Sequence, residues 1–146
     1  MKIFNPTTGQ IKEYSAGFLV FSEFDGERRY LILHYPGGHF DFAKGHLEAK
    51  ENNLEAAHRE LAEETGIDQI EIINGFEEQI TYNFRRGRTP VKKTVTFFLG
   101  KTSQQQVKIS HEHHDAFWLN FDEALAKVTF ANAKNILSKA EQFLNK

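Results

Sequence analysis

Three observations make this chain an α+β domain. Apolar, β-prone runs lie before and after one strongly marked helix, and two further helical stretches follow near the end. Of 146 residues, 40% are hydrophobic and 14 are phenylalanine, enough to fill a proper core at a length that suits one domain. No internal repeat, low-complexity tract or linker interrupts the pattern, so residues 1–146 are expected to form a single domain.

Taken in order, Ala16–Phe21 and Arg29–Tyr35 are apolar runs around Asp25-Gly26, which reads as a hairpin. Gly45 is expected in a loop, where the lack of a side chain lets backbone approach a metal or a phosphate. A helix follows. Asn52 can cap it, with Glu55 three residues later as in a capping box. Leu54, Ala57 and Leu61 give it one apolar stripe, and Gly66 ends it in a left-handed conformation. Ile67–Ile73, Phe76–Phe84 and Val91–Leu99 read as strands, the last two joined by a polar loop over Arg85–Pro90. Ala116–Leu119 reads as one more strand, with Trp118 packed in the core. Phe121–Val128 and Ala133–Leu144 have helical apolar spacing, with Asn120 or Asn132 as caps.

Composition narrows the chemistry. The absence of cysteine excludes disulfides, zinc–thiolate sites and cysteine nucleophiles, and suits a reducing compartment. A net charge of −2 and a pI near 6.4 give no global attraction to nucleic acid or anionic membrane. Met1–Pro6 has no signal-peptide core and no apolar run reaches membrane-spanning length, so a cytoplasmic protein is expected.

The densest information lies between Gly45 and Ile67, which reads G-x5-E-x7-R-E-L-x-E-E-x-G-I. Glu60, Glu63 and Glu64 fall at i, i+3 and i+4, so three carboxylates share one helix face. Each like-charged pair costs a helix roughly 0.2–0.5 kcal/mol, and a hard divalent cation turns that repulsion into binding. A bare acidic face is usually just solvated. The complete frame, however, arises by chance in one short chain with a probability on the order of 10⁻⁷.

This pattern resembles the Nudix box of enzymes that hydrolyse nucleoside diphosphates linked to another moiety. The resemblance implies an α/β/α sandwich around a mixed sheet and a divalent cofactor, Mg²⁺ with Mn²⁺ as a substitute. It implies Glu60 and Glu64 as the main metal ligands, Glu63 assisting and the Gly45 carbonyl contributing. Glu64 or Glu63 would take the proton from water, and Arg59, paired with Glu51, would orient the glutamates.

Within that superfamily the stretch from Ala16 to Leu144 is similar to the asymmetrical diadenosine tetraphosphate hydrolases of the animal and archaeal type. The similarity is carried by His39 and Lys44-Gly45-His46, by Gly75-Phe76 leading to Tyr82, by Lys93-Thr94-Val95, and by Ser110-His111-Glu112-His113 followed by Trp118-Leu119. It departs at Phe42-Ala43, where the family shows two prolines, and at Arg85–Pro90, which is longer and more basic. The resemblance implies that Glu112 lies near the metal as ligand or base. It makes Lys44 and Lys93 polyphosphate contacts, His39 a phosphate or leaving-group contact, and Tyr82 and Phe130 adenine-stacking residues.

The expected reaction is hydrolysis of diadenosine tetraphosphate, a small dinucleoside polyphosphate, to ATP and AMP. The alternative is removal of pyrophosphate from a 5′-triphosphate RNA end, with Arg85, Arg86 and Arg88 as backbone contacts. A non-catalytic nucleotide-binding Nudix domain is disfavoured, because every glutamate of the box is present. The run His111–His114 invites a zinc reading but lacks the H-E-x-x-H spacing, and a polar, mobile loop beside the site is expected instead.

Overall fold

In the computed structural model, which describes residues 1–110, 113 and 115–146, one long strand organises the sheet. This is β2 (Ile11–Phe24), buried without a break from Ser15 to Ser22. A strand covered on both faces needs such a continuous run rather than alternation. On one edge it pairs in parallel with β7 (Thr89–Lys101), from Ile11 opposite Val91 to Phe21 opposite Lys101. The hairpin partner of β7 is β6 (Glu71–Arg86). The other edge of β2 is shared in succession by β1 (Lys2–Phe4), β5 (Ala43–His46) and β3 (Glu27–His34).

That sharing matters for the site. β2 and β3 pair only from Phe21–Phe24 to Glu27–Tyr30, around a turn with Asp25 and Gly26 both at positive φ, and then separate. Into the fork come β4 (Phe40–Asp41), paired with β3, and β5, paired with β2. Gly17 permits this, because a Cβ there would overlap the Ala43 carbonyl. The outer edge of β3 pairs with β8 (Asp115–Leu119).

Alternation along the strands produces two cores. Leu19, Phe21, Ile32, Val95, Phe97 and Leu99 face α2 (Phe121–Lys127) and α3 (Ala131–Leu144). Phe18, Val20, Leu31, Leu33 and Phe98 face α1 (Asn53–Thr65), whose Ala56, Ala57 and Leu61 are buried against them. Helices therefore cover both faces of a mixed sheet, in the α+β, three-layer arrangement expected. Among the described residues no helix is long and apolar enough to cross a membrane.

Several local expectations are corrected. Of the strands expected over Ile67–Ile73 and Phe76–Phe84, 67–70 lies outside any strand and the rest belongs to one strand, β6, with an irregularity between Ile72 and Glu77 where Gly75 has φ 92°. Arg85–Pro90 is not a loop: pairing continues to Arg86 opposite Thr89, closed by Gly87-Arg88 with Gly87 at φ 64°. Asn120 caps α2 through a capping box with Glu123, whereas α3 starts from Phe130 with no side-chain cap and Asn132 lies inside it. Gly45 lies in strand β5, since pairing in the fork satisfies its backbone as a loop would not. Trp118, by contrast, packs against the core from β8 as expected, half-buried, and donates its indole N–H to the Gln105 carbonyl at 2.9 Å.

Candidate active site

α1 is fixed at both ends. Asn52 Oδ1 accepts from Glu55 N–H at 2.8 Å, Glu55 Oε1 accepts from Asn52 N–H at 2.9 Å, and Gly66, at φ 76°, donates to the Ala62 carbonyl. With its apolar stripe on the sheet, the helix turns its acidic face toward the fork that carries β5.

Three glutamates one turn apart meet three different environments. Glu60 lies directly against Gly45, where a Cβ would overlap its carboxylate. Glu64 is 5% exposed; its Oε2 lies 3.3 Å from the Tyr35 hydroxyl and 3.2 Å from His113 Nε2. Glu63 is 59% exposed and reaches only as far as Arg59. Among the described residues no three acidic or histidine side chains converge as a closed metal-ligand set. The Glu60 carboxylate packs directly on the Gly45 backbone with no side chain between, and carboxylate oxygens are the hard donors a small divalent cation takes, so the residues suit such an ion.

Arg59 ties the acidic wall together. Nε and Nη2 donate to the two oxygens of Glu51 at 2.7 and 3.0 Å, Nη1 donates to Glu60 at 2.9 Å and to Glu63 at 3.2 Å, and Nη2 also reaches the His46 carbonyl at 2.9 Å. The hydrogen bonds from Arg59 hold the Glu51 carboxyl below its usual range, and those same bonds raise the guanidinium further. The expected Arg59–Glu51 pair is therefore present. Burial above all, and then the charge of Glu64, pushes the Tyr35 phenol well up, so it stays protonated as a donor.

Tyr35, Lys44, Gly45, Glu60, Glu64 and His113 line a cleft of about 550 Å³. A second chamber of about 360 Å³ lies alongside, lined by Asp41, Lys44, Ile80, Tyr82, Phe97 and Phe130 among others. Lys44 borders both; its Nζ is 3.0 Å from Asp41 Oδ2. The expected stacking pair is thus brought together: Tyr82 is half-buried on β6, and Phe130, at the start of α3, is 51% exposed and not core. His39 stacks on Tyr35 at 4.9 Å and 8°, and lies 5.5 Å from Phe130, between the two chambers. Burial lowers its pKa. Lys93 stands opposite Tyr82 across the β6–β7 pair, its pKa lowered by burial and then by Lys44, and it borders neither chamber. Glu112, with His111 and His114, lies outside the described residues.

Sequence reasoning missed Tyr35, Asp41 and His113 as site residues. Tyr35 and Asp41 flank the turn that enters the fork, and only the unforeseen strands β4 and β5 bring Tyr35 to the cleft and Asp41 to the chamber.

The NUDIX domain model matches residues 13–139. The chain belongs to the Nudix family. Enzymes of this family generally need a divalent metal. Among its relatives is mouse bis(5′-nucleosyl)-tetraphosphatase [asymmetrical], 37% identical over 121 residues, which are 79% of this chain and 80% of the relative. An RNA pyrophosphohydrolase of Sulfurovum is 30% identical over 105 residues, 65% of this chain and 67% of the relative. The crystal structure of a Caenorhabditis elegans Ap4A hydrolase binary complex matches with a TM-score of 0.82 at 28% identity, covering 91% of this Nudix chain and 98% of that one.

Proposed function

We propose that this Nudix protein hydrolyses diadenosine tetraphosphate asymmetrically, to ATP and AMP, with residues 1–146 acting as one catalytic domain in the cytoplasm. The observation that carries the reading is the adjacency of two unlike chambers joined at Lys44: an acidic cleft suited to a cation and its phosphates, and an aromatic one suited to a base. The relatives named for that activity support it.

Glu60 and Glu64 would hold the cation, with the Gly45 carbonyl contributing and Glu63 assisting from the rim. Mg²⁺ suits these oxygens, and Mn²⁺ would replace it. When bound, the cation supplies neutralisation of phosphate charge and a more acidic water. Arg59 and Glu51 keep Glu60 in place against Gly45. Lys44 neutralises a phosphate oxygen at the passage between chambers, Lys93 reinforces the positive potential there, and His39 contacts the departing phosphate chain. Tyr82 and Phe130 sandwich an adenine remote from the reacting phosphorus. Glu112 is our candidate to take the proton from the attacking water.

Hydrolysis in ¹⁸O water with separation of products tests this reading. ATP and AMP are expected, with the label in AMP if water attacks the phosphate next to one adenosine. ADP as the first product, or no turnover alongside rapid removal of pyrophosphate from triphosphorylated RNA, would reject it. The RNA reading draws on Arg85 and Arg88 at the β6–β7 turn and on the Sulfurovum relative. It is weakened at Arg86, whose guanidinium is taken by the buried Glu13 at 2.6 Å.

A further inference from the structure

Lys44 borders both chambers, yet its side chain is only 15% exposed. A lysine stem is flexible, so an ammonium at a fixed place needs a partner that holds it there. Asp41 supplies one from the preceding strand: its Oδ2 lies 3.0 Å from Lys44 Nζ. The carboxylate is itself fixed, being 4% exposed and accepting at Oδ1 from the Phe42 N–H at 2.8 Å. Phe42 is fully buried, meets Phe97 edge-on at 5.5 Å, and gives its carbonyl to the Tyr35 hydroxyl at 2.6 Å. The short link from β4 to β5 is thus anchored on the core at Phe42, with Asp41 and Lys44 on either side of the anchor. A like charge stands close by. Burial lowers the Lys93 pKa most, Lys44 lowers it further, and Glu13 and Asp41 pull it back up. Asp41 therefore also offsets the repulsion between two lysines. An ammonium has three N–H donors, so the bond to Asp41 leaves two for the oxygens of a ligand.

We infer that Asp41 is a positioning residue: it holds the Lys44 ammonium at the passage between the chambers, in place before a polyphosphate arrives. The inference rests on the reading of Lys44 as a phosphate contact. Ordering one long side chain on binding costs about 2–10-fold in affinity, and a lysine already held avoids that loss. Position and charge act in opposite directions here. A carboxylate that merely stood near the phosphates would repel them, and removing its charge would tighten binding. A carboxylate that places Lys44 does the reverse, so the sign of the effect separates the two roles.

The test is calorimetric titration of inorganic tripolyphosphate into the full chain without nucleotide. Lys44→Met should weaken binding. Asp41→Asn, which still accepts from the Phe42 N–H, should weaken it by about 2–10-fold. With Lys44→Met already in place, Asp41→Asn should cause no further weakening, because the group that Asp41 holds is gone. Unchanged or tighter binding in Asp41→Asn would overturn the inference. So would an equal weakening with and without Lys44, since Asp41 would then act through the fold. If Asp41→Asn does not fold, Asp41→Thr, smaller and uncharged with a hydroxyl for the same N–H, is read by the same cycle. Wild-type affinity in Lys44→Met would remove Lys44 as a phosphate contact and the inference with it, a result distinct from wild-type affinity in Asp41→Asn alone. Tripolyphosphate carries no base, so a failed assignment of diadenosine tetraphosphate shows in the products of the wild-type enzyme and not in this titration.

Discussion

The acidic cleft and the aromatic chamber differ in how they are built. The cleft draws three of its charged groups, Arg59, Glu60 and Glu64, from one and a half turns of a single helix, and one arginine links Glu51, Glu60 and Glu63 at 2.7–3.2 Å. The chamber takes Lys44 from β5, Tyr82 from β6, Phe97 from β7 and Phe130 from the start of α3. The first is a local object that a helix carries wherever it packs. The second exists only when the sheet has its full register. Chemistry and recognition are therefore separable in this molecule, and substitutions should break one without the other.

The largest effect belongs to the cleft. Glu64→Gln keeps the shape of a buried side chain but removes its charge, and kcat should fall on the order of 10²–10³-fold, as for loss of one group that stabilises developing charge. The melting temperature should barely move, and near-wild-type rates at saturating Mg²⁺ would end the role of Glu64. Gly45→Ala comes next. Its Cβ would overlap the Glu60 carboxylate, and misplacing a catalytic group by about 1 Å costs roughly 10²-fold, so kcat should drop by about that factor. A Gly45→Ala enzyme with unchanged kcat would mean that Glu60 has room to move and that the contact is incidental.

The third effect belongs to the chamber. Losing a base-stacking ring costs roughly 1–3 kcal/mol, so Tyr82→Ala should raise KM for diadenosine tetraphosphate by about 5–150-fold and lower kcat far less. Tyr82→Phe, which keeps the ring, should be almost silent. A destabilised Tyr82→Ala enzyme with unchanged KM would return Tyr82 to core packing.

This difference also explains what the sequence made legible. The box helix was readable to its caps, because Asn52, Glu55, Leu61 and Gly66 act within a few residues of each other. The Asp25-Gly26 turn and the Asn120 cap of α2 were readable for the same reason. The fork was not. β4 and β5 are two and four residues long, and they are strands only because β2 and β3 diverge there and leave unpaired edges. Tyr35 and Asp41 became site residues through that event, which no local propensity records. The β6–β7 turn was misread because its arginines and Pro90 look like a loop, whereas pairing with β7 extends the strand to Arg86. Tyr82, Lys93 and Phe130 were named through family resemblance and not through any local signal, and the chamber that joins Tyr82 to Phe130 is a tertiary fact.

The smallest effect is in stability, and it separates the two regions by pH. Arg59 holds the Glu51 carboxyl below the ordinary value of 4.5, so in this range the unfolded chain binds more protons than the folded one. The stabilisation is fully present above 4.5 and is lost as pH falls through the folded value. Glu13, on the sheet and away from α1, behaves alike, because Arg86 lowers its pKa chiefly by hydrogen bonding. Glu51→Gln should therefore lower the melting temperature at pH 7 and flatten its decline on acidification, while Glu13 retains part of the slope. A partly exposed Arg–carboxylate pair is worth at most about 1 kcal/mol, which corresponds to roughly 2–4 °C in a chain of this size. Melting curves of wild type, Glu51→Gln, Glu13→Gln and the double variant between pH 3 and pH 7 provide the check. If Glu51→Gln melts like wild type at every pH, Arg59 does not stabilise the acidic wall through Glu51, and its bonds to Glu60 and Glu63 must organise that wall instead.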